Sequence, residues 1–190
     1  MKNAKPTIGV LALQGAVQPH RLHIEACGAT FAAVKTPAGF ASVDGFILPG
    51  GESTTMLKLI ERFDLWEGLA EEFSKKPVWG ICAGAILIAE KVLNPAQTSF
   101  GLLPITVERN GYGRQVNSHH CTVDGYEVSL IRAPVIQDID TSVEVLAKHD
   151  GNPIWVKKGA IMASTFHPEM SLNFPSPMHV AFIDLVRQTS

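Results

Sequence analysis

The chain has 190 residues, of which 46% are apolar and 18% charged, with a formal net charge of −2. This composition suits a single globular domain spanning 1–190 that buries its own core, and it excludes the basic footprint of a nucleic-acid binder. No apolar run approaches the ~18 residues of a membrane span, and three irregularly spaced cysteines (Cys27, Cys82 and Cys121) point to a reducing cytoplasm rather than a disulfide framework.

Residues 7–13 read as a first strand and not a signal peptide, because Gln14 and Gly15 interrupt the apolar run and no small-residue cleavage pattern follows. A helix is predicted next, ending near Cys27 with Gly28 as its stop. His20 and His23, three apart on that helix, read as an exposed face or a partner surface. Residues 30–35 and 45–48 are strands, the first closed by Pro37 and the second by Pro49-Gly50-Gly51. Helical sequence covers 53–73 with a break near Asp64, and 78–81 is a short buried strand. Residues 83–92 are apolar all round, as in a helix at the centre of a fold. Strand-like pieces then follow at 105–109, 114–123, 126–131, 143–149, 154–157 and 160–166. Asp124-Gly125 and Asp150-Gly151 separate some of them, so several pairings are antiparallel. A helix at 176–188 closes the chain. Alternating strands and helices in the first half imply a parallel sheet covered by helices.

The strongest local signal is Gly80-Ile81-Cys82-Ala83-Gly84, between an apolar strand and an apolar helix. This is the cysteine form of the nucleophile elbow. A tight turn lifts one side chain clear of the sheet, flanking glycines avoid collisions, and the helix N-terminus favours a thiolate. The backbone N–H of Ala83 is then free to face an oxyanion. A lone Cys82 would pass for a core residue; the elbow argues for a nucleophile.

Such a nucleophile needs a base and a group to orient it. Of seven histidines, His167 has the telling setting: a strand end, then Pro168 and Glu169, whose carboxylate can turn back to fix the imidazole tautomer. Read alone, His167-Pro168-Glu169 is an ordinary polar turn; beside an elbow cysteine it supplies a base. In Pro49-Gly50-Gly51-Glu52-Ser53-Thr54-Thr55 the paired glycines free backbone N–H groups for an oxyanion or substrate, while Ser53 or Thr54 can cap the next helix. The lysine of a phosphate-binding Walker loop is missing.

The elbow, the Pro-Gly-Gly-Glu-Ser loop and Phe166-His167-Pro168-Glu169, in that order, resemble class I glutamine amidotransferases. Leu11-Ala12-Leu13-Gln14-Gly15-Ala16-Val17, Gly113-Arg114-Gln115-Val116 and Ile131-Arg132-Ala133-Pro134 narrow the likeness to the glutaminase subunits of pyridoxal 5′-phosphate synthases. The resemblance implies a three-layer α/β fold with a mostly parallel central sheet, helices on both faces and antiparallel additions in the second half. It implies hydrolysis of L-glutamine through a Cys82-His167-Glu169 triad, with no metal or organic cofactor. Substrate contacts fall on Gly50, Gly51, Glu52, Ser53, Ala83, Arg109, Ile131 and Arg132, and the partner is a barrel-shaped synthase subunit that receives ammonia. Gln14, at the end of the first strand, is placed to couple partner docking to the oxyanion loop.

Two departures stand out. Ile81 replaces the smaller threonine usual before the nucleophile, and Asn117-Ser118-His119-His120 stands where Asp-Ser-Phe-Glu is favoured. His119, His120 and Cys121 do not make a metal site, because adjacent strand residues point to opposite faces. Trp66, Trp79 and Trp155 read as packing residues. Alternatives are a glutaminase serving another synthase, a cysteine peptidase-like hydrolase, and a regulatory module with a vestigial triad.

Overall fold

The computed structural model describes residues 5–109 and 119–189. In chain order the elements are β1 (Thr7–Leu11), α1 (His20–Ala26), β2 (Thr30–Val34), α2 (Pro37–Ala41), β3 (Gly45–Leu48), α3 (Ser53–Arg62), α4 (Trp66–Phe73), β4 (Val78–Ile81), α5 (Ala83–Ile88), β5 (Ala89–Leu93), β6 (Leu103–Glu108), β7 (His119–Val123), β8 (Tyr126–Leu130), β9 (Val135–Ile139), β10 (Glu144–His149), β11 (Asn152–Lys158), β12 (Ile161–Ser164), a 3-10 turn at Pro168–Met170 and α6 (Pro177–Thr189).

Seven strands form the central sheet in the order β10-β11-β12-β4-β3-β1-β2. The stretch from β12 to β2 is parallel throughout, and β10 and β11 extend it in antiparallel pairings. Strand side chains alternate between faces, which divides the core in two. Phe46, Leu48 and Val78 pack with α2 to α5 on one face. Val10, Ile47, Trp79 and Ile81 pack with α1, α6 and the β7-β8 hairpin on the other. The result is the expected three-layer α/β architecture.

Departures from the sequence reading have local causes. The predicted helix over 83–92 stops at Ile88, because Ala89–Leu93 turns extended and pairs with β6. Helix α2 was not expected; Pro37 opens it, and the Gly39 N–H donates to Thr36 Oγ1 (3.3 Å). Strand β9, also unexpected, gains its order from β6. Asp64, at φ +52, separates α3 from α4. The N-cap of α3 is Glu52, not Ser53 or Thr54. His20 and His23 are fully buried rather than exposed, because α1 packs its histidine face against α6. Trp66 stacks on Phe100 and Trp79 is buried, both as packing residues. Gly113-Arg114-Gln115-Val116 and Asn117-Ser118, with the start of the strand predicted over 114–123, lie outside the described residues. No helix among the described residues is long and apolar enough to cross a membrane.

Candidate active site

Parallel strands end on the same edge of the sheet, so β1, β3, β4 and β12 deliver their following loops to one place. Cys82 follows β4 with φ +49 and ψ −100, a backbone state that costs about 1–3 kcal/mol for a residue with a side chain. The surrounding sheet holds it there: the Cys82 N–H donates to the Ser164 carbonyl (2.8 Å), and its own carbonyl accepts from the Ile86 N–H (3.2 Å). Gly84 lets α5 approach β3, since a Cβ at Gly84 would lie 2.0 Å from the Leu48 carbonyl oxygen.

His167 reaches Cys82 because β12 lies beside β4, with Ser164 opposite Ile81. Three residues past β12, the His167 N–H donates to the Ser129 carbonyl (2.8 Å), which ties the loop to the end of β8. The 3-10 turn then folds Glu169 back, placing its Oε1 2.7 Å from His167 Nδ1. Gly50 lies against the ring; a Cβ there would come within 2.2 Å of His167 Cε1.

Both partners are buried, and their charges respond to one another. Burial opposes a charged His167 ring, yet hydrogen bonding with the Cys82 thiol and the Glu169 carboxylate, with their charges, pushes its pKa up to about 10. Burial likewise opposes ionisation of Glu169, but its hydrogen bond with His167 and its interaction with His20 hold the carboxyl below the ordinary value. At neutral pH the pair is an imidazolium and a carboxylate.

A cavity of about 490 Å³ opens over this pair. Cys82, Ala83 and His167 line it, as do Gly50, Gly51, Glu52 and Ser53, and Gln14, Arg109, Ile131 and Arg132 complete the expected set. Of the expected catalytic, substrate and coupling residues, Glu169 alone does not line it. The Gln14 side-chain carbonyl accepts from the Glu52 N–H (2.7 Å), linking the β1 end to the glycine loop. Arg109 donates to Thr54 Oγ1 (2.7 Å), and the Ser53 and Thr54 hydroxyls both donate to Gln97 Oε1 (3.0 and 3.3 Å). Across the mouth, Arg132 at φ +45 pairs with Glu52 at 2.6 Å, both side chains exposed.

Sequence reasoning missed several of these residues. Gly15, Ala16, Ile86 and Met170 also line the cavity, and Gln97 braces the glycine loop. Only Gly15 and Ala16 carried a signal, as neighbours of Gln14 in a singled-out motif. Nothing local marks Gln97, which arrives from the connection between β5 and β6.

The fold and the site define an α/β protein with a nucleophile-elbow cysteine and a paired histidine and glutamate. The model of the SNO glutamine amidotransferase family matches residues 10–187, and the chain belongs to that family. The chain is 44% identical over 186 residues to the pyridoxal 5′-phosphate synthase subunit PdxT of Koribacter versatilis, covering 95% of each. It is 42% identical over 188 residues to the subunit of that name from Thermotoga neapolitana, covering 95% of this chain and 99% of that one. A crystal structure of a glutamine amidotransferase superposes with a TM-score of 0.85 at 34% identity, over 94% of this chain and 98% of that one.

Proposed function

We propose that this chain is a glutaminase that hydrolyses L-glutamine to L-glutamate and ammonia and supplies the ammonia to a pyridoxal 5′-phosphate synthase subunit. The observation that carries the reading is the strained Cys82 lining the cavity with a His167 that is itself hydrogen-bonded to buried Glu169. Membership in the family and the likeness to subunits of that synthase support the choice of substrate and partner.

The Cys82 thiolate attacks the side-chain amide carbon of glutamine. Backbone N–H groups of Gly51 and Ala83 stabilise the oxyanion. A charged His167 suits the first half-reaction, because its proton goes to the departing ammonia as the thioester forms. The neutral ring then takes a proton from water, which attacks the thioester and releases glutamate and Cys82. Glu169 holds the ring in one tautomer throughout. Arg109 and Arg132 offer donors suited to the α-carboxylate, and Glu52 offers an acceptor to the α-ammonium. Ammonia passed directly to a partner escapes protonation and dilution, which is the chemical reason for a complex in the cytoplasm.

The test is glutamate release from the purified chain with and without the synthase subunit. Cys82→Ala abolishes release in both cases, and unchanged turnover would sink the mechanism. Gln14→Ala, which removes the acceptor for the Glu52 N–H, lowers the stimulation by the partner while leaving the fold intact by circular dichroism.

A further inference from the structure

Glu169 spends only one carboxylate oxygen on His167. Its Oε2 is buried and has no hydrogen-bond partner among the described residues. Three other histidines, His20 and His23 on α1 and His179 on α6, are fully buried in the same region of the protein. His23 stacks on His179 with ring centroids 4.4 Å apart, and Trp79 packs its edge against His179 at 5.0 Å. Protein interiors rarely keep three uncharged imidazoles without a use for their polar atoms.

The hydrogen bonds order the protons. The Ser176 N–H donates to His23 Nδ1 (3.0 Å), so the neutral His23 ring carries its proton on Nε2. The His179 N–H donates to Ser176 Oγ (3.2 Å), and that oxygen lies 2.6 Å from His179 Nδ1. His179 Nε2 lies 2.9 Å from His20 Nδ1. Two proton orders fit this row. In one, the Ser176 hydroxyl donates to His179, His179 donates to His20, and His20 is left with a free Nε2–H. In the other, every proton points back, the Ser176 hydroxyl has no acceptor among the described residues, and His20 Nε2 is a bare lone pair. The second order strands the serine proton and leaves two buried acceptors, His20 Nε2 and Glu169 Oε2, unmatched. The first leaves one donor and one acceptor, not hydrogen-bonded to each other but close enough that the Glu169 charge is felt at His20.

We propose that His20 is a positioning residue of the glutaminase centre, with the row Ser176-His179-His20 directing its Nε2–H at the free oxygen of Glu169. This rests on the triad reading of Cys82, His167 and Glu169. The row carries no net charge, since burial depresses the pKa of His20 and of His179. It supplies an oriented dipole that keeps Glu169 ionised and its Oε1 turned to His167. His20 touches no substrate; it acts through Glu169.

Two measurements test this. Long-range proton–nitrogen correlation spectra of the full chain at neutral pH show His20, His23 and His179 all protonated on Nε2; a proton on His20 Nδ1 overturns the proposal. This readout does not depend on turnover, so it stands even if glutamate release fails to appear and the glutaminase reading falls. In the complex with the synthase subunit, His20→Leu lowers kcat by about tenfold with KM for glutamine unchanged. His20→Gln, whose amide can accept from His179 and donate onward, recovers most of that loss. Unchanged kcat in His20→Leu, or an equal loss in both variants, overturns the proposal, and if neither variant folds the spectra of the unaltered chain decide it.

Discussion

Two buried histidines near one glutamate behave in opposite ways. His167, at the strand ends, has its pKa pushed up to about 10, whereas His20, in the cluster between α1 and α6, has its pKa lowered to about 4. Burial disfavours the charged ring in both. The difference is contact. His167 bonds directly to the Glu169 carboxylate at 2.7 Å and to Cys82, while His20 feels Glu169 only through space and is bonded to another imidazole. A hydrogen bond between opposite charges outweighs desolvation, and a more distant charge does not. One region therefore favours a charged imidazole, and the other favours neutral ones.

Removing the contact should erase that difference. Glu169→Gln takes away one of the two partners, beside Cys82, that sustain the His167 imidazolium, so its pKa falls in an NMR titration, and kcat for glutamate release drops by about a thousandfold. A His167 that still titrates near 10 in this variant would show that Cys82 alone sustains it.

The two regions also respond to pH in opposite directions. His20 has a folded pKa of about 4 against an ordinary 6.5, so the folded state prefers the neutral ring. Its contribution is present above pH 6.5 and is lost as pH falls towards 4, by up to about 3 kcal/mol. His167 has a raised pKa, so its contribution is present below 6.5 and is lost as pH rises through about 10. Urea unfolding across acid pH should show a stability loss that His20→Leu reduces, while the alkaline limb stays.

The smallest effect belongs at the cavity mouth. The Arg132–Glu52 pair is exposed, so Arg132→Ala changes stability by less than about 1 kcal/mol in urea unfolding. The same variant raises KM for glutamine by about tenfold, because Arg132 lines the cavity proposed to hold glutamine. A large stability loss with unchanged KM would make Arg132 structural rather than substrate-binding.

Much of the site could be read in advance because its parts are local. The elbow needs glycines at fixed offsets from Cys82, and Gly84 meets that need against Leu48. Gly50-Gly51 ends β3, and His167 and Glu169 are joined by one turn. The cluster between α1 and α6 was misread for the opposite reason. Histidine carries no periodic sign of burial, and a spacing of three on a helix fits an exposed face as well as a buried one. Only the packing of α6 on α1 distinguishes them. The limits of α5 failed similarly, since an apolar run at 83–92 satisfies either a buried helix or a helix followed by a strand, and pairing with β6 decides.

By itself the sequence determined the alternation of strands and helices, the glycine-flanked turn at Cys82 and the paired glycines that end β3, because each depends on neighbours within a few positions. Tertiary structure decided the rest. It set β12 beside β4 so that His167 meets Cys82, and it brought Gln97 under the glycine loop. It also sealed His20, His23 and His179 away from water between α1 and α6. Protonation follows burial and partner distance, and neither exists until the chain has folded.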